Sequence, residues 1–171
     1  MIHQHELKAN DVHAYTLEML KEHLKIKVDG YICKTDMILN VLIKASAENS
    51  SLEAACGDLE ETADSNTIRE YLNEALPIKE LREQEKQVNK VLACGTPADL
   101  VRTDIEVALD FHDEPFYGKQ AGTRQVTCAG QAKKGTTHFV RIATAYIIWR
   151  QVRLTLAVRY VLPEDETLEI L

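Results

Sequence analysis

Two runs of strand-forming residues, with only three residues between them, constrain the fold of this chain more than any other feature. His138 to Ile148 is rich in Ile, Val, Thr, Tyr and Phe, and Val152, Leu154, Leu156, Val158 and Tyr160 alternate with Arg153, Thr155, Ala157 and Arg159. Alternation with a period of two puts successive side chains on opposite faces of a strand. A connection as short as Trp149, Arg150 and Gln151 joins only antiparallel neighbours, so the spacing predicts a β-hairpin. A third alternating run lies upstream. There Ile105, Val107, Leu109 and Phe111 share one face and Glu106, Ala108 and Asp110 the other, so Asp110 closes the strand pointing away from its apolar side. The stretch between, with Pro115, Gly118, Gly122, Gly130 and Gly135, reads as a turn-rich connection, and Asp113 and Glu114 read as solvated turn residues. After the hairpin, Pro163, Glu164, Asp165 and Glu166 open a terminal helix, because proline suits a first helical turn and acids suit its positive end.

The first hundred residues carry a helical period instead. Val12, Tyr15, Leu17, Leu20 and Leu24 recur at roughly helical spacing over Asp11 to Leu24, and Thr35 is placed to cap a helix whose Met37, Ile38, Val41, Leu42 and Ala45 share a face. Ser50 and Glu53 have capping-box spacing ahead of Leu52, Ala55, Cys56 and Leu59. Asp64 or Ser65 caps the next helix, striped by Ile68, Tyr71, Leu72 and Ala75 and ended by Pro77. Three short helices joined by polar turns suggest a helix-turn-helix, in which Asn66, Thr67 and Arg69 would reach base edges from the start of the recognition helix. Glu60, Glu61, Asp64, Glu70 and Glu74 crowd the same region, and a plain three-helix bundle accounts for the pattern as well. A further amphipathic stretch, Ile78 to Leu92, stops before Gly95, Thr96 and Pro97. The expected organisation is therefore α+β: a helical domain over 1–95, then a sheet domain over 104–171.

Net charge is −7, which by itself speaks against a nucleic-acid binder. Its distribution does not. From Lys119 to Tyr160 the chain holds Lys119, Arg124, Lys133, Lys134, Arg141, Arg150, Arg153 and Arg159 with no Asp or Glu, so basic side chains there are candidates for neutralising phosphates near Asp110. A solvated strand face is the competing account of Arg153 and Arg159. Cys33, Cys56, Cys94 and Cys128 are scattered without a close pair, which argues against a zinc knuckle or a disulfide framework. The six histidines show no ligand spacing either. No apolar run is long enough to span a bilayer and the start lacks a signal peptide's apolar core, so the expected location is cytoplasmic.

Three ordered blocks carry a resemblance: LDFHDEPFYG from Leu109, KKGTTHFVRIATAYII from Lys133 and RLTLAVRYVLPEDE from Arg153. Over Ile105 to Leu171 the chain resembles the DDE-type insertion-sequence transposases of archaea and bacteria, and the segment from Ser51 to Leu76 looks like the DNA-binding region of the same family. The resemblance implies an RNase H-like catalytic domain, here an incomplete three-stranded antiparallel sheet with one terminal helix. It implies Mg²⁺, or Mn²⁺, held by two Asp and one Glu for in-line displacement at phosphodiester bonds. Asp110 matches the first acid, with Asp113 as fallback ligand. The second Asp, after a fourth strand, and the Glu, on a later helix, have no positions here, so the chain alone is expected to be inactive. DNA at the ends of the mobile element is the implied partner, with Lys133, Lys134, Arg141 and Arg153 on its phosphates. Self-association is expected through the first strand, whose outer edge lacks a neighbour. Two alternatives stay open: a non-enzymatic DNA-binding or interaction protein, such as a repressor derived from a transposase, and a small α+β regulator with no DNA role.

Overall fold

The computed structural model describes residues 8–100, 104–118 and 126–165. Over these the chain is α+β, with five α-helices followed by a four-stranded antiparallel sheet, and it divides into two compact units, Met1–Pro77 and Ile78–Leu171.

The first unit is helical: α1 (Ala9–His23), α2 (Thr35–Ala47), α3 (Leu52–Asp58) and α4 (Ser65–Ala75). Its core forms around α2, whose Ile38, Leu39 and Val41 are buried together with Ile26, Cys33, Ala55 and Ile68. The cap of α4 is Asp64, one of the two expected candidates, with its side chain accepting from the Asn66 and Thr67 N–H groups. Two other caps differ from expectation. Ser51, not Ser50, caps α3 by accepting from the Ala54 N–H (3.1 Å), while the Ser50 N–H donates to the Ala45 carbonyl at the end of α2 (2.9 Å). Thr35 does not cap α2. Its hydroxyl accepts from the Val28 N–H (2.9 Å) and donates to the Val28 carbonyl (3.1 Å), fastening the loop that precedes the helix.

The second unit comprises a short 3-10 turn (Ile78–Glu80), α5 (Leu81–Cys94), β1 (Ala108–Pro115), β2 (Cys128–Lys133), β3 (Thr136–Trp149) and β4 (Val152–Val161). The long strand β3 is the spine. β1 pairs along one side of it, from Ala108 opposite Tyr146 to Pro115 opposite Phe139. β2 and β4 share the other side, β2 beside Thr136 to Phe139 and β4 beside Arg141 to Trp149. They meet end to end, where the Cys128 thiol donates to the Val161 carbonyl (3.4 Å). Both hairpins close through two-residue turns with positive φ at both positions, Lys134 and Gly135 in one, Arg150 and Gln151 in the other. That geometry matches the right-handed twist of the strands, and it produces the expected β3–β4 hairpin.

The sheet differs from expectation in two ways. β2 lies in what reads as a loop, since Cys-Ala-Gly-Gln-Ala-Lys has little strand propensity and becomes a strand by pairing across the Lys134–Gly135 turn. β1 runs on to Pro115 because the long β3 offers partners that far, so Asp110 is its third residue and Asp113 and Glu114 lie inside it. The terminal helix expected from Pro163 falls largely on residues outside the described ones. Pro163 and Glu164 form a turn, closed by Asp165 accepting from the Leu162 N–H (2.8 Å).

The sequence grouped α5 with the amino-terminal helices, whereas the structure packs it on β4. Arg82, Glu85 and Asn89 fall on one helix face. In an antiparallel strand the N–H and C=O of one residue point to the same edge. The Tyr160 N–H donates to Glu85 Oε2 (2.8 Å) and its carbonyl accepts from Arg82 Nη1 (2.7 Å). The Val158 N–H donates to Asn89 Oδ1 (2.8 Å) and its carbonyl accepts from Asn89 Nδ2 (2.9 Å). Three side chains thus stand in for a further strand. Asp165 completes the arrangement by accepting from the other terminal nitrogen of Arg82, Nη2, which lies 2.6 and 2.5 Å from its two oxygens.

Candidate functional site

Strand pairing sorts the sheet's functional candidates onto two faces. Asp110 sits opposite Thr144, two positions from the Ala108–Tyr146 pair, so Asp110 and Tyr146 share a face with His112 and Glu114. Leu109 and Phe111 lie on the other, as expected from the alternation. Arg153 reaches over from β4: its guanidinium carbon lies 3.7 Å from the centre of the Tyr146 ring, and its Nη2 is 3.8 Å from Asp110 Oδ2. Farther along β1, His112 Nε2 is 2.6 Å from Glu114 Oε1.

Asp113 is three residues from Asp110 on a strand and so faces the opposite way. It takes a two-pronged grip from its cross-strand partner Arg141, with Nε at 2.7 Å and Nη2 at 2.9 Å. The hydrogen-bonded Arg141 guanidinium holds the Asp113 carboxyl below the usual carboxylate range. The two residues account for each other: Asp113 is no neighbour of Asp110, and Arg141 is committed to a carboxylate. A divalent ion requires several hard oxygens around one point. Among the described residues no three His, Cys, Asp or Glu side chains gather, and Asp110 has an arginine beside it.

The basic segment is less bare than its composition implies. Arg150 donates to Asp99 (2.9 Å), Arg141 to Asp113, and Arg159 Nη2 lies 3.6 Å from Asp165, so acids from flanking elements meet arginines of the acid-free stretch. Lys133 and Lys134 are exposed at the β2–β3 turn, where the Tyr117 hydroxyl donates to the Lys134 carbonyl (2.7 Å). Lys119 and Arg124 fall outside the described residues.

In the helical unit, Asn66 and Thr67 lie on the first turn of α4 and Arg69 follows at the start of the second. The Thr67 hydroxyl donates to Asp64 Oδ2 (2.7 Å), and Arg69 Nη1 donates to Ser65 Oγ (3.2 Å) and Asn66 Oδ1 (3.1 Å). The Thr67 hydroxyl, then the Thr67 and Asn66 N–H groups, hold the Asp64 carboxyl below its usual range, so a negative charge already occupies this helix start. Asn66 and Arg69 are exposed. The connection between α3 and α4 is six residues, longer than the three or four of a tight helix-turn-helix.

Sequence reasoning missed Tyr146, Asp165 and the Arg82, Glu85 and Asn89 set. The only signal for the last was polar residues recurring on one face of an amphipathic helix. No family model, curated protein or solved structure matches the chain. Among the described residues, no helix is long and apolar enough to cross a membrane.

Proposed function

We propose that this chain belongs to a DDE-type insertion-sequence transposase, with the helical unit engaging DNA and the sheet unit opening an RNase H-like catalytic domain. One observation carries the reading: β3 is flanked by β1 and β4 in antiparallel order, and β1 presents Asp110 on the face opposite Leu109 and Phe111. In such a domain the first strand supplies the first metal-binding acid from that position, and the remaining acids come from later elements of the catalytic domain. Arg153 beside Asp110 and the exposed Lys133 and Lys134 supply positive charge on the same unit for phosphates. The partner is DNA at the ends of the mobile element, and in relatives of this kind Mg²⁺ supports cleavage and strand transfer. The test is fluorescence anisotropy of the whole chain with duplexes carrying the ends of the element that encodes it, against scrambled duplexes of equal length. Preference for the element ends supports the reading. Equal affinity for both, or no binding at low salt, overturns it.

A further inference from the structure

The arginines described in the sheet unit are not equivalent. Arg82 is spent on Asp165, Glu85 and the Tyr160 carbonyl, Arg141 on both oxygens of Asp113, and Arg150 on Asp99 at 2.9 Å. Arg159 has a buried Nε and a long contact with Asp165. Arg153 differs from all four. Like Arg150 it is exposed and lies over an aromatic ring, but where Arg150 donates to Asp99 at 2.9 Å, the approach of Arg153 to Asp110, at 3.8 Å, is an ion pair too long to be a hydrogen bond. What fixes it is the Tyr146 ring beneath it, which constrains the plane of the guanidinium without using any N–H donor.

A guanidinium oriented by stacking, with its fork unspent and a weak exposed carboxylate contact, is set up to exchange that carboxylate for a two-pronged phosphate. We propose that Arg153, held on the Tyr146 ring, takes a backbone phosphate of DNA on the Asp110 face of the sheet, and that Asp110 keeps the guanidinium in place until the phosphate arrives. This rests on the DNA reading above and narrows it, from a diffuse basic segment to one residue and its support. Arg141, expected from the sequence to share the role, is instead held by two hydrogen bonds to Asp113.

The test is the salt dependence of binding by the whole chain to a fluorescein-labelled duplex of mixed sequence, with the corresponding single strand as a second probe. A residue that neutralises one phosphate contributes about 0.9 to the slope of log K against log salt on duplex DNA. Arg153→Ala is expected to lower that slope by about one unit. Arg153→Lys and Tyr146→Leu are expected to keep the slope and lose affinity, because the charge stays and only its placement goes. Asp110→Asn is expected to bind more tightly than wild type, as the competing carboxylate is gone. Each variant is compared at matched urea midpoint, and Arg153→Gln replaces the alanine variant should that one unfold. If wild type binds with a clear salt slope that Arg153→Ala and Arg153→Gln leave unchanged, the assignment of Arg153 is wrong while the DNA reading stands. If wild type binds neither probe at low salt, the DNA reading itself fails and the assignment falls with it.

Discussion

Asn89 grips Val158 through both backbone groups at once, its amide nitrogen donating to the carbonyl at 2.9 Å and its amide oxygen accepting from the N–H at 2.8 Å. The contact is partly buried, so removing it leaves two backbone groups without partners at the edge of β4. Asn89→Ala should therefore destabilise the sheet unit by about 2–3 kcal/mol, the sum of two lost hydrogen bonds and the desolvation left uncompensated. A urea midpoint equal to wild type would show that water replaces the amide at no cost.

Asp165 gives the sheet unit an acid-side limit. Burial pushes its carboxyl up, but the Leu162 N–H and the Arg82 and Arg159 guanidiniums outweigh that and hold it below the usual range. A carboxyl whose folded pKa lies below the unfolded value of about 3.9 contributes stability that is fully present above that value and is lost as pH falls through the folded one. Unfolding midpoints should be flat from about pH 7 to 5 and drop below about pH 4. Asp165→Asn should lose roughly 2–3 kcal/mol at neutral pH, less than a fully buried pair because Arg82 keeps a third of its surface in water, and should flatten the acid limb. An acid limb as steep in the variant as in wild type would assign it elsewhere, with Asp113 the next carboxyl to replace.

Gly130 is required by Phe139. A Cβ there would lie 3.1 Å from two ring carbons of Phe139, which is buried at 2% exposure. Gly130→Ala should cost about 1 kcal/mol and Gly130→Val about 2–3 kcal/mol, as in other overpacked cores. Thermal melts that rank the two variants equal to wild type would mean that β2 is loosely held.

Ile105, Val107, Leu109 and Phe111 remain 37 to 51% exposed, and β1 pairs on one side with β3. Among the described residues β1 has no partner along its other edge, and an apolar stripe beside such an edge favours association with another chain. The whole chain is expected to self-associate in sedimentation, and Val107→Lys should reduce the association while changing stability by less than about 0.5 kcal/mol. A monomeric wild type that Val107→Lys unfolds would place Val107 in a core instead.

What could be read from the residues is what depends on near neighbours in the chain. The stripe of Ile68, Tyr71, Leu72 and Ala75 after Asp64 specifies α4 and its cap, and the alternation across Trp149 to Gln151 specifies the β3–β4 hairpin, because both periods and both turn requirements are local. The separation of Asp110 from Leu109 and Phe111 follows from alternation alone. The cap of α3 falls at Ser51, one residue beyond the spacing's prediction, and the Ser50 N–H closes the end of the preceding helix.

The rest was decided by pairing between distant segments. Cys128 to Lys133 becomes a strand because β3 lies beside it, and β1 extends through Asp113 because β3 is long enough to meet it, which turns a solvated turn acid into the partner of Arg141. The allegiance of α5 depends on a backbone edge some seventy residues away, and its Arg82, Glu85 and Asn89 look like ordinary helix surface until that edge arrives. Periodicity tells a residue which way to face, but only the folded sheet supplies what it faces. That is why Asp110 and Arg153 could each be picked out alone, while their meeting over Tyr146 could not.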